Sequence, residues 1–392
     1  MLEQPFTGAL YTYPWDLVDD GLDLALSRII DLTGCQEVLL TPCYHRSIYF
    51  LPHNPKRPIY FGENGAIYFS PDLSRYANTR IQPRISKEVT DHAYFDRIVE
   101  AIGKRGLKFS AWMVYTFQDY LSEQYPEFAK HDAFGNPYVG QLSTAPPDVR
   151  AYFLALTTEV MERYKPVAVW VESLMRRGFG TPPKRRAEIS PRCQFLLSLC
   201  FNPASIANAN TGGMDGERFQ EQVVDWLRPR LARLPTDEDG LSVTDEWISE
   251  VFNGQLKQYL AISRKNTTAL WLEVADVIHQ SGAKIQTNLA DTASALRNDL
   301  DPSINRSIDR LSFNLTETGE QASEQVKDLL HQIAPGGEVF VPAGGGGLTE
   351  SDALAKQLKA AADAGAAGAT FYNYGLLCEE QLGFIGTALR SL

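Results

Sequence analysis

"PPDVRAYFLALTTEVMERYKPVAVWVE", residues 146–172, decides the reading of the fold. Up to Tyr164 it has helical spacing behind a proline start. Val167 to Val171 is then an apolar, β-branched and aromatic run, and it stops at Glu172. A helix feeding a buried strand is half of a βαβ repeat. The glutamate at the strand end is either the first solvated residue past the core or a carboxylate placed at the mouth of a pocket.

Working outward, the same alternation recurs. Strands are predicted over 8–13, 37–45, 107–115, 167–172, 283–289, 308–315, 338–343 and 369–375. Helix-period segments such as "HAYFDRIVEAIGKRG" and "ESDALAKQLKAAADAGA" lie between them. Eight strands alternating with helices predict one closed (β/α)₈ TIM barrel over residues 1–392. The competing fold is a doubly wound open sheet, and no GxGxxG follows the first strand to support it. Two insertions follow strands two and four. Residues 46–90 carry "RPIYFGENGAIYFS", read as a β-hairpin turning at Asn64–Gly65. Residues 173–265 are mostly helical, with "TPPKRR" and "NANTGGMDGE" as loops. Both are expected on the C-terminal face, where barrel sites are built. The long insertion is also a candidate interface for a homo-oligomer.

Composition narrows the function classes. The 392 residues are 44% hydrophobic and 22% charged, enough for a sizeable core. A formal net charge of −11 opposes phosphate-backbone binding, so no nucleic-acid partner is expected. No apolar run reaches the length of a membrane span and the N-terminus has no signal-peptide pattern, so a cytoplasmic protein without a membrane partner is expected. The five scattered cysteines include no CxxC and read as free thiols.

On a barrel, the strand ends can be inventoried. The first gives Tyr13, Trp15 and Asp16; the second Tyr44, His45 and Arg46; the third Trp112 and Tyr115; the fourth Glu172. The fifth gives Asn288 and Asp291, the sixth Asn314 and Glu317, and the eighth Tyr372, Asn373 and Tyr374. Strand seven opens into Gly344–Gly347. Lys108 and Lys284 start their strands, at the wrong end for a Schiff-base nucleophile. Aromatics, amides and carboxylates suit a sugar: rings pack on pyranose C–H faces, while amides and acids bind hydroxyls. Two carboxyl groups flanking a glycosidic bond can cut it, one protonating the leaving oxygen and the other attacking or activating water. Glu172 is the leading acid/base candidate, and Asp291 after strand five and Glu317 after strand six are candidates for the second carboxylate. Each of Asp291, Glu317 and Asp16 also reads as a helix-start acid. The glycine loop reads either as a phosphate cradle or as a turn with Thr349 as the next helix's N-cap.

The segment 125–173 resembles glycoside-hydrolase-like TIM-barrel proteins through Pro126, Asp132, Gly135, Pro147, Val149, Arg150, Tyr152 and Glu172. The stretch 44–69 is similar to the sugar-site hairpin insertion of such proteins. The resemblance covers residues 1–175 and implies a barrel and a carbohydrate ligand. In that family an acid after strand four is acid/base or nucleophile, with a partner after strand seven or five. Strand seven here ends in glycines, which moves the second role to Asp291.

The expectation is therefore a glycosidase acting on a short oligosaccharide or glycoside, without cofactor or metal. Glu172 and Asp291 are its catalytic pair. Trp15, Trp112, Tyr115 and Tyr374 are its subsite walls, and Asp16, His45, Arg46, Asn288, Glu317 and Asn373 are further substrate contacts. The alternatives are a metal-dependent sugar isomerase or epimerase using His45, Glu172 and Asp291, and a sugar-binding barrel without catalysis.

Overall fold

A computed structural model describes residues 6–179, 188–236, 239, 242–291, 296, 298–344 and 348–392. Eight strands form the barrel: β1 Thr7–Thr12, β2 Glu37–Tyr44, β3 Lys108–Val114, β4 Ala168–Glu172, β5 Lys284–Thr287, β6 Arg310–Ser312, β7 Glu338–Ala343 and β8 Gly368–Phe371. Each pairs in parallel with its successor, and β8 returns to β1 with Gly368 opposite Thr7, so the sheet closes. The TIM barrel is therefore the fold, and the open sheet is excluded.

Local sequence explains the surrounding helices. Pro147 opens helix Pro147–Tyr164 at its first turn, where its missing N–H costs nothing. Lys165 ends that helix in the left-handed region at φ 46°. Helix Tyr94–Lys104 buries Tyr94, Phe95, Ile98 and Ile102 against the barrel, the stripe a 3.6-residue period produces. The family-like motif is largely structural. Val149 and Tyr152 are buried, Arg150 pairs with Glu273, and Asp132 and Gly135 form the turn joining strands Ala129–His131 and Pro137–Leu142.

The starting end of the barrel is filled by charge. The Arg310 Nη1 donates to both oxygens of Glu37 at 2.7 and 3.0 Å, and Ser110 donates to the same carboxylate. Glu338 accepts from Arg310 and from Lys284. Lys284 thus lies at the end away from the strand C-termini, as its position at a strand start predicts.

Two parts of the insertions differ from the sequence reading. The hairpin after β2 pairs Ile48–Phe50 with Ile59–Phe61, with Tyr49 opposite Tyr60. Its connection is the proline-containing 51–58 loop, closed by Leu51 N–H to Pro58 O. Asn64–Gly65 does not join the paired strands; Ala66–Ile67 turns back to pair with the end of β2. The prolines at 52, 55 and 58 favour a bent connection, and the backbone groups of 66–67 find a partner in β2. The second insertion has its own core, including Phe195, Phe201, Phe219, Val223, Leu227 and Tyr259. The boundary at 265 falls inside one continuous helix, Gln255–Gln280. Leu256, Tyr259 and Leu260 of that helix serve the insertion core, while Leu270, Trp271, Val274 and Ile278 serve the barrel core. "TPPKRR" and Gly345–Gly347 lie outside the described residues.

Candidate functional site

Strand parity builds the site. Side chains two apart share a face, so Trp170 and Glu172 of β4 point into the barrel while Val169 and Val171 pack outward. Tyr11 of β1, Trp112 of β3, Ser312 of β6 and Thr370 of β8 join them, with Asn288 and Tyr372 just past β5 and β8. Together with Pro342 and Ala343 of β7 and Gly344 just past it, they line a cleft of about 290 Å³ at the C-terminal end. Tyr11 meets Trp112 edge-on at 4.9 Å and Trp170 at 6.1 Å. Rings therefore make one wall. Small and hydroxyl side chains make the other.

Glu172 is the one carboxylate among the described residues lining this cleft. Trp112 Nε1–H donates to its Oε2 at 2.7 Å, fixing the carboxyl in place. Burial raises its pKa, while the Trp112 hydrogen bond and the Arg177 charge pull it back; burial wins. The next residue, Ser173, is held at φ 61°, a left-handed conformation that costs about 1–3 kcal/mol for a non-glycine residue. Its carbonyl accepts from Thr116 N–H, and its hydroxyl accepts from Arg177. The strand end carrying Glu172 is thus held from both sides.

Hydroxyls gather beside it. Tyr13 and Tyr372 share a 2.7 Å hydrogen bond, and Tyr44 lies 3.4 and 3.5 Å from their oxygens. Burial raises the pKa of all three, so they are neutral donors and acceptors. His45 is stacked between Tyr44 at 4.2 Å and Phe117 at 4.3 Å, and Arg177 covers the same Phe117 ring. The His45 pKa is pushed down to about 4 by burial, with Arg177 adding to the effect. It is therefore neutral near pH 7, with its Nδ1–H donating to the Arg46 carbonyl.

Of the residues expected from sequence, the cleft gathers Glu172, Trp112 and Asn288. Trp15 is buried and stacked on Tyr13 at 4.4 Å, under the hairpin tyrosines, and forms no subsite wall. Tyr115 faces the helix layer, where its hydroxyl meets Thr157. Tyr374 is buried and donates to Asp20. Asp16 accepts from Tyr13 N–H at the start of helix Pro14–Asp20, and Asn373 accepts from Gly375 N–H. Both polar groups serve the backbone, away from the cleft lining. Arg46, Asp291 and Glu317 are exposed and outside the cleft lining. Thr349 is not the cap of helix Ser351–Asp363, which begins after Glu350.

Tyr11, Trp170, Ser312 and Thr370 were absent from the expected site, and Tyr372 stood in the strand-end inventory without an assigned role. The available signal was parity: the last inward residues of several strands line the cleft, together with the first residues beyond β5, β7 and β8. Among the described residues no group of three His, Cys, Asp or Glu is placed to hold a metal, which leaves the isomerase reading without its ligand set. A second, polar cavity between barrel and insertion has room for about 20 Å³, the scale of one water, and its Arg176 is committed to Asp299.

No family model and no curated protein matches the sequence. Solved structures match the fold. An α-L-fucosidase isoenzyme 2 from Paenibacillus thiaminolyticus aligns at TM-score 0.52 and 13% identity, over 98% of this chain and 49% of that one. A β-galactosidase from Marinomonas ef1 aligns at 0.52 and 11%, over 94% of this chain and 54% of that one. The catalytic domain of β-amylase from Paenibacillus polymyxa aligns at 0.52 and 11%, over 97% of this chain and 95% of that one. The chain thus spans about half the length of the first two and nearly all of the third. At these identities the likeness is one of fold. No helix among the described residues is long and apolar enough to cross a membrane.

Proposed function

We propose that the protein is a glycoside hydrolase that cleaves a short oligosaccharide or glycoside, with Glu172 as its general acid. The observation that carries this reading is the Glu172 carboxyl, held by Trp112 at the end of β4 in an aromatic cleft that raises its pKa. A raised pKa favours the protonated form, the one that can donate to a leaving oxygen. The Tyr11, Trp112 and Trp170 rings offer faces for a pyranose, and Asn288, Ser312, Thr370 and Tyr372 offer hydroxyl partners. The glycosidase names of the matched barrels agree with this chemistry. Asp291, three residues beyond Asn288, is assigned the second carboxylate role; it must reach the cleft when substrate is bound.

The second reading is a sugar-binding barrel without catalysis, favoured by Glu172 being the one carboxylate among the described residues of the cleft lining. Hydrolysis of a panel of aryl α- and β-glycosides and short oligosaccharides separates the two. Cleavage that survives EDTA, collapses in Glu172→Gln and falls in Asp291→Asn supports the hydrolase with the assigned pair. Full activity in Glu172→Gln refutes the acid. Saturable sugar binding without turnover supports the binding barrel.

A further inference from the structure

The tripeptide "IYF" occurs three times in the sequence, at 67–69 and, as a pair of neighbouring segments, at 48–50 and 59–61. The neighbouring pair forms the two strands of the antiparallel hairpin, with Ile48 opposite Phe61 and Phe50 opposite Ile59. The local two-fold axis through the Tyr49–Tyr60 pair therefore exchanges Ile48 with Ile59 and Phe50 with Phe61. Tyr49 and Tyr60 point inward and are 4% exposed, packing on Trp15 at 5.4 and 4.8 Å. The outer face is the reverse: Ile48 is 67% exposed, Phe50 66%, Ile59 56% and Phe61 67%.

On a half-buried hairpin the solvent face is normally polar. Here all four outward positions are large and apolar. At ~200 Å² per large side chain, these exposures leave roughly 500 Å² of apolar surface. That is near the top of the range for the largest patch on a monomer, about 300–600 Å². Two such faces together bury about 1,000 Å², the lower bound for a specific interface, and rim residues add to it. The exposed residues beside it in sequence, Arg46, Pro52, Pro55, Lys56 and Pro58, are available as a rim. An isologous interface sets the same patch of two copies face to face, so that all four apolar side chains of each copy are covered at once. A net charge of −11 opposes docking on an anionic bilayer.

We infer that the outer face of this hairpin is a homodimer interface, formed by Ile48, Phe50, Ile59 and Phe61 packing on the same residues of a second copy. The inner face of the hairpin rests on Trp15, and Trp15 stacks on Tyr13, whose hydroxyl bonds Tyr372 at the cleft. Dimerisation would brace the packing behind the cleft without covering the barrel interior.

The test is sedimentation velocity with multi-angle light scattering on the full chain at ~1–100 µM, the range such an interface is expected to span. The wild type should show twice the 43.7 kDa chain mass at the upper concentrations. Phe50→Asp with Phe61→Asp, and separately Ile48→Arg, should each show the single mass. Their thermal midpoints at low concentration should stay close to wild type, because these side chains are exposed. A wild type that remains a monomer throughout overturns the inference, as does a dimer that survives both variants. A monomeric wild type that floats with neutral phosphatidylcholine vesicles, lost in the variants, also overturns it and assigns the face to lipid.

Discussion

Glu172 carries a conflict that its neighbours only partly relieve. Burial raises its pKa, so the folded protein binds that proton more tightly than the unfolded chain does. Its contribution to stability is full below the unfolded value, ~4.3 for an ordinary glutamate, and is lost as pH rises through the higher folded value. Glu172→Gln keeps an acceptor for Trp112 and removes the titration. Its unfolding midpoint should match wild type in acid and exceed it above neutrality; calorimetry at the two pH extremes checks this, and a gap that does not widen with pH contradicts it. Trp112→Phe deletes the N–H that pulls the Glu172 pKa down, so the alkaline limb of kcat/KM should move to higher pH while kcat falls about tenfold or more. An unmoved limb would detach Trp112 from the acid. At this scale Glu172 was legible because an apolar strand that ends on a charge is conspicuous. Tyr11 and Trp170 were not, because a barrel interior reads from sequence like any buried strand, and only the parity counted back from Glu172 distinguishes it. Trp15 and Tyr374 misled because a strand-end aromatic can equally be drawn under a loop.

The elements behind the cleft are held by close contacts that sequence alone does not announce. Gly375, in the turn after β8, lies against Asp16: a Cβ there would meet the buried carboxylate at 2.3 Å. Gly375→Ala should cost about 1–3 kcal/mol through forced displacement of the first helix or the β8 turn, measured by denaturant unfolding. A neutral result would show that the turn has slack. The hairpin teaches the same limit. Asn-Gly is a strong turn signal, yet the paired strands lie on the other side of residues 51–58, because Ala66–Ile67 can join β2 and the second "IYF" can join the first. Both alternatives present the same alternation of residues, and tertiary pairing chooses between them.

Across the whole molecule, the alternation of strands and helices made the barrel legible from end to end. Every strand was located, with boundaries that shrank where the chain leaves the sheet early, as at Arg310–Ser312. The helix Gln255–Gln280 was only half read because its two halves face different cores and so share no continuous stripe. The barrel also separates its charges. Arg310 and Glu37 plug the starting end, and Glu172 occupies the opposite end. Arg310→Ala leaves the buried Glu37 without its cation and should destabilise by about 3–5 kcal/mol. Arg310 lies outside the cleft lining, so kcat in the folded fraction should stay near wild type; a selective loss of kcat at unchanged stability would contradict this division of labour. Barrels of 11–13% identity share this scaffold, and the chemistry of this chain resides in its cleft.

The proposed role of Glu172 is to protonate the leaving oxygen. A leaving-group series on Glu172→Gln tests it most directly, comparing dinitrophenyl with methyl glycosides of whichever sugar the wild type cleaves. A general acid matters most when the leaving group is poor, so the methyl glycoside should lose about 10²–10⁴-fold in rate while the dinitrophenyl glycoside loses far less. An equal loss across the series, or no loss, would contradict the assignment and make Glu172 a residue of the cleft wall.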